Sequence, residues 1–193
     1  MLDAALGVFW RRGFDGAAIS DLVEATGLKR QSLYNAFRDK DGLFHATLAH
    51  YVARVDESLR PLADPRAGLP ALLAYMQGAL DVYRARGGGA CLLVKTAFSE
   101  ERAHPDVRRT IKQGADAVRA RFASVIEQAR ARGEVSADTS PDIAAAYLYA
   151  VLSGASALAH TGGDKQHVDA VLALAIASLR PLGREPNKRK KKP

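Results

Sequence analysis

The sequence predicts an all-α protein. Apolar residues recur at three- and four-residue intervals along most of the chain, and no segment sustains a period of two. Alanine and leucine outnumber valine and isoleucine, a balance that favours helix over strand. Glycine or proline punctuates most of the boundaries between periodic stretches. Together these give about nine helices, three short ones over residues 1–45 and longer ones over residues 46–182.

The first helix is predicted over residues 2–11, with Leu2, Ala5, Leu6 and Phe9 on one stripe and Gly13 as its stop. The second covers 19–26 through Ile19, Leu22 and Val23, and ends before Gly27. The third lies within 27–37. Asp39 is a natural cap for a fourth, running from Lys40 to about Leu59. Pro61, Pro65 and Pro70 mark the junction that follows. Residues 69–85 form the next helix and 91–101 a shorter one, separated by Gly87, Gly88 and Gly89, a candidate hinge. Residues 106–132 form a long amphipathic helix ended by Gly133. The last two span 141–160 and 165–182, the first opened by Ser140-Pro141-Asp142, a cap, a proline and an acid in the expected order.

The chain's 193 residues, 48% of them hydrophobic, are enough for a sizeable core. Its net charge of +7 is unevenly placed: residues 183–193, GREPNKRKKKP, hold six cations and one anion, which leaves the body at +2. The tail reads as a disordered basic run. One cysteine, Cys91, excludes an intrachain disulfide and fits a reducing compartment. No uninterrupted apolar run of about 18 residues predicts a membrane span. The opening MLDAALGVFWRRGF lacks the basic start of a secretion signal. The expectation is a cytoplasmic protein.

Residues 27–37, GLKRQSLYNAF, carry the functional signal. Leu28, Leu33 and Phe37 share one side, while Lys29, Arg30, Gln31, Ser32 and Asn35 share another. With residues 19–26 and Gly27 at the turn, they fit a helix–turn–helix, whose second helix enters the major groove of DNA. Residues 29–40 hold four cations and one anion, whereas residues 1–45 as a whole are neutral. Positive charge is thus concentrated on the candidate reading helix.

Phe9, Gly13, Phe14, Ile19, Leu22, Gly27, Leu28, Ser32, Leu33, Tyr34, Phe37, Lys40 and Leu43 are spaced as in one known family. Residues 4–44 resemble the DNA-binding domain of TetR/AcrR-family transcriptional regulators. The resemblance implies that Tyr34 and Lys40 contact phosphate, that Ser32 contacts the backbone, and that Lys29, Arg30, Gln31 and Asn35 are the candidates for base edges. Arg suits guanine, and Asn or Gln suits adenine. Two departures stand out. Ala17-Ala18 replace the family's hydroxyl cap of the second helix, and Lys29 replaces a small hydroxyl residue ahead of the third.

The later helices match the family in layout only. The last two are apolar nearly all round and rich in small residues, which marks them as buried, in an intrachain core, a dimer interface or both; the resemblance implies a bundle with a second copy, with Tyr147, Val151, Gly154, Leu158, Val168, Leu172, Ala175 and Leu179 as the interface candidates. The middle helices, 69–132, are expected to enclose a ligand pocket lined by Met76, Tyr83, Cys91, Phe98, Phe122 and Tyr147, although such stripes are more often core. Cys91 follows the glycine run at a predicted helix start, where negative charge is favoured; this makes it a candidate reactive thiol. No Lys-Ser/Thr follows the glycines, which excludes a Walker A loop. The five histidines form no compact metal-binding spacing with Cys91, and no cofactor or metal is expected.

The chain thus reads as an N-terminal helix–turn–helix domain (1–45), a larger helical ligand-binding and dimerisation domain (46–182) and a basic tail (183–193). The expected function is a homodimeric, ligand-responsive repressor. Its partners would be double-stranded DNA with a palindromic operator and a small-molecule effector, not a membrane. An all-helical carrier or enzyme is the alternative, and no nucleophile–base–acid set supports it.

Overall fold

The computed structural model describes residues 1–85, 90–99 and 104–181. The glycine hinge at 87–89 and the basic tail at 183–193 lie outside the described residues. Among those described there is no strand. The helices are α1 (Leu2–Arg12), α2 (Ile19–Thr26), α3 (Arg30–Phe37), α4 (Lys40–Ser58), α5 (Leu69–Ala85), α6 (Leu92–Ala97), α7 (Pro105–Ala131), α8 (Pro141–His160) and α9 (Lys165–Ala177). A 3-10 turn at Arg60–Ala63, unforeseen from sequence, fills the proline-rich junction after α4.

Helices α1 and α4 hold the N-terminal group together. Phe9 stacks on Phe14 at 6.4 Å, and Phe44 from α4 meets both edge-on at 5.1 Å. Helix α4 continues onto α7, α7 packs along α8, and α5 lies against α8 and α9. Trp10 joins the two ends of the core: it is 1% exposed and meets Tyr51 edge-on at 5.0 Å and Tyr83 at 5.8 Å.

Local chemistry sets the ends of the elements. Asp39 Oδ1 accepts the Gly42 amide at 2.8 Å and caps α4. Ser140 makes no side-chain cap, so α8 starts on Pro141 and Asp142 alone. Helix α9 stops five residues short of its predicted end. The Leu179 carbonyl is diverted to the Ser136 amide at 3.1 Å, and Pro181 disfavours helix at the residue before it. Helix α6 stops at Ala97 because the Phe98 and Ser99 amides tighten onto Lys95 and Thr96.

Helix α8, although interrupted by Ser153, Gly154 and Ser156, is long and apolar enough to span a membrane by length and composition alone. It packs between α7 and α9 with one face buried, and its remaining apolar residues form an outward stripe.

Candidate functional site

Helices α2 and α3 meet at Gly27, whose backbone is left-handed (φ 69°, ψ 8°), a conformation glycine adopts without penalty. The turn buries Leu22 and Leu33 completely, with Leu28 and Phe37 half-buried beside them. The opposite face is presented outward: Lys29, Arg30, Gln31, Ser32 and Asn35 are exposed, and Tyr34 is half-buried. Two one-turn pairs order this face. Gln31 Nε2 donates to Asn35 Oδ1 at 3.1 Å, and the Arg30 guanidinium lies 5.7 Å from the Tyr34 ring centre.

Ala18 gives α2 no side-chain cap, and Asp21 supplies only the reciprocal half of a capping box. Its Oδ2 accepts the Ala18 amide at 3.1 Å and Arg12 Nη1 at 2.7 Å. Lys29 provides no side-chain cap to α3, as its side chain predicts. Lys40 folds back over the Phe14 ring at 4.4 Å and donates to the Asp15 carbonyl at 3.5 Å. Between α3 and α4, Arg38 takes φ 70°, the one non-glycine residue among those described with a positive φ. A strain of about 1–3 kcal/mol is typical of such a residue.

A cavity of about 510 Å³ lies between α1, α4, the 3-10 turn and α5. Leu6, Trp10, Tyr51, Tyr75 and Tyr83 give it an apolar wall, and Arg54, paired with Asp3, supplies a cation. The cavity sits closer to α1 than the sequence suggests. Of the six expected liners, only Tyr83 belongs to it. Met76 and Phe122 are fully buried, Phe122 packing edge-on against Tyr75 at 5.7 Å. Phe98 is 89% exposed at the end of α6, and Tyr147 faces outward from α8. Helical spacing marks an apolar face but does not distinguish packed core from cavity wall. Of the α1 and α4 liners, the periodicity marks Leu6 and Tyr51 only as core and singles out neither Trp10 nor Arg54.

Cys91 borders a separate void of about 20 Å³, with Tyr75, Tyr83 and Tyr149 around it. Its Sγ is 3.3 Å from the Tyr51 hydroxyl, and either atom can be the donor. Burial, and secondarily the neighbouring cysteine, pushes the Tyr51 and Tyr83 phenols well above their usual range. One turn into α6, Lys95 reaches the Trp10 carbonyl, and partial burial lowers its ammonium pKa.

The outer face of α8 and α9 is apolar. Ile143, Tyr147, Leu158, Val171 and Leu174 are exposed, Leu174 by 72%, and Gly154 lies open on the same side. Val151 is half-buried. Val168, Leu172, Ala175 and Leu179, expected at a dimer interface, instead face inward and are at most 7% exposed. Both sides of α9 are apolar, and the sequence pattern did not tell them apart. Away from Cys91, His45 and His104 come together, with ring centres 4.4 Å apart.

Two family profiles cover most of the chain. "Bacterial regulatory proteins, tetR family" matches residues 1–47, and "Tetracyclin repressor-like, C-terminal domain" matches residues 68–175. The chain is 26% identical to the HTH-type transcriptional repressor ComR of Escherichia coli, over 93% of its own length and 85% of ComR. It is similar to the TetR-family regulator CifR, solved as a cysteine mutant on 26bp double-strand operator DNA, at 27% identity and TM-score 0.78, covering 92% of this chain and 94% of CifR. It is also similar to the reduced form of E. coli NemR, at 26% identity and TM-score 0.77, covering 90% and 92%.

Proposed function

Because the chain belongs to the TetR family of bacterial regulatory proteins, we propose that it is a homodimeric transcriptional repressor of the cytoplasm. Its role is regulatory rather than enzymatic. Each protomer offers one α3 to the major groove. Two such helices, related by a twofold axis, suit a palindromic operator with half-sites about 34–36 Å apart. The observation that carries this reading is the α3 face. Four candidate base-reading side chains are exposed, while the opposite side of the same short helix is locked into the core.

Arg30, Gln31, Asn35 and Lys29 are the base-edge candidates, and Ser32, Tyr34 and Lys40 the phosphate candidates. The outward stripe of Ile143, Tyr147, Leu158, Val171 and Leu174 is the face for a second copy, with Gly154 allowing close approach. An effector occupies the cavity against Tyr83 and Trp10. It acts only through different affinities for the DNA-competent and released conformations. The Cys91–Tyr51 contact favours a second input to the same switch, a thiol-reactive signal. Among the similar structures, CifR is a cysteine mutant and NemR a reduced form.

Fluorescence anisotropy with a labelled random duplex tests the reading. The expected result is binding at 50 mM salt that weakens steeply by 200 mM, linear in log salt, as phosphate neutralisation requires. Absence of binding at low salt sinks it and returns the carrier alternative. Cys91→Ser separates the inputs, since a variant that releases DNA to oxidants as readily as the parent eliminates the thiol.

A further inference from the structure

His45, His104 and Asp106 are far apart in sequence and meet in space. His45 lies in the second turn of α4, five residues after Lys40. His104 is the N-cap of α7, and Asp106 is in its first turn. One potential ligand atom from each lies within 4.8 Å of the other two. Asp15 and Asp41 line the same recess, of about 190 Å³, with His45 and His104.

We infer that this recess binds a divalent transition-metal ion. Two imidazole nitrogens and a carboxylate oxygen suit zinc, nickel, cobalt or copper, whereas magnesium and calcium prefer all-oxygen sets. Metal–ligand bonds of about 2.0–2.2 Å in tetrahedral geometry put donors roughly 3.4 Å apart. The three donors therefore close by up to about 1.4 Å, which His104 and Asp106, both exposed, achieve by rotamer change. A carboxylate from Asp15 or Asp41, or water, completes the shell.

Two existing contacts bear on the ion. Asp106 Oδ1 accepts Arg109 Nη1 at 2.8 Å, and its second oxygen remains for the metal. His104 Nδ1 accepts the Asp106 amide at 3.3 Å, a long bond. Coordination replaces that bond whichever nitrogen binds. Nδ1 would give its lone pair to the metal, and binding through Nε2 moves the ring proton to Nδ1. The bound ion fixes the start of α4, next to the reading helix, against the start of α7 in the body of the protein. It does so outside the effector cavity and away from Cys91.

The test uses the full chain without an affinity tag and zinc as probe, in competition with a chromophoric chelator. One saturable site per chain is expected, weakened at least ten-fold by His104→Ala and by His45→Ala, and unchanged by Cys91→Ser. Zinc also raises the melting temperature of the parent and not of His104→Ala, since a ligand of the folded state stabilises it by mass action. Cobalt substitution gives the intense visible bands of a tetrahedral site. The site is overturned by the absence of saturable binding, by stoichiometric binding that survives both histidine variants, or by binding that Cys91→Ser abolishes. His104 is exposed, so its variant folds and gives an answer even if His45→Ala does not.

Discussion

Lys95 Nζ donates to the Trp10 carbonyl oxygen at 2.6 Å across 85 residues of chain. The bond runs from α6, which begins beside Cys91, to the last turns of α1, whose Phe9 packs on Phe14 and Phe44. Trp10 is also the only tryptophan in the chain. The end of α1 is therefore held by a group whose helix borders both the cysteine and the tyrosine cluster.

Lys95→Met keeps the aliphatic stem and removes the donor. It is expected to cost about 1 kcal/mol, because the bond is only partly buried. A urea titration followed by Trp10 emission measures the loss. Amide exchange at the end of α1 should rise, while exchange in α8 stays unchanged.

Arg30→Ala and Lys40→Ala should fail in different ways. Loss of a base contact costs about 1–3 kcal/mol and relaxes preference at one position. Loss of a phosphate contact weakens every sequence alike and lowers the salt slope by about 1. Selection from a randomised duplex pool, followed by salt titrations, separates them. Uniform loss for Arg30→Ala would make it a phosphate contact.

Two residues of α9 test which side is the chain's own core and which is the proposed partner face. Leu172 is fully buried and Leu174 is 72% exposed. Leu172→Ala should cost about 2–5 kcal/mol as a core cavity. Leu174→Glu should leave the helical circular dichroism intact and shift sedimentation equilibrium from dimer to monomer. A Leu174→Glu protein that remains dimeric would remove α9 from the interface.

Alkaline pH should act through the buried phenols. Tyr51 and Tyr83 keep their protons longer in the folded chain than in the unfolded one, whose value is 10.0. Stability is then intact below about pH 10 and falls as pH rises beyond it, because only the unfolded state ionises. In urea midpoints measured from pH 8 to 11.5, Tyr51→Phe should show a shallower decline than the parent.

Sequence periodicity located every α-helix among the described residues because 3.6-residue patterning is a local property. The exposed face of α3 was legible for the same reason: on an eight-residue helix, the charged and apolar sides have only one way to sort. Ends were harder. Helix α9 stops where Ser136 captures the Leu179 carbonyl, a contact between distant segments. Cavity and interface depend on three-dimensional packing in the same way. Nothing in the pattern of α9 says that Leu172 points in and Leu174 out, because both flanks are apolar. Leu6 reads as part of a core stripe, and it is buried; only the packing of α4 and α5 leaves a cavity beside it and Trp10. The meeting of His45 with Asp106 had no local signal at all.

Leu6 and Trp10 have two duties. The same pair is buried on α1, the helix that packs against α2 and α4, and walls the cavity. Altering either to admit a different guest also reshapes the footing of the DNA-facing head. Such positions should resist independent adjustment, so a change in chemical taste is more readily obtained from the α5 side, at Ala74, Gly78 or Ala79, where the wall is shared with nothing that reads a base.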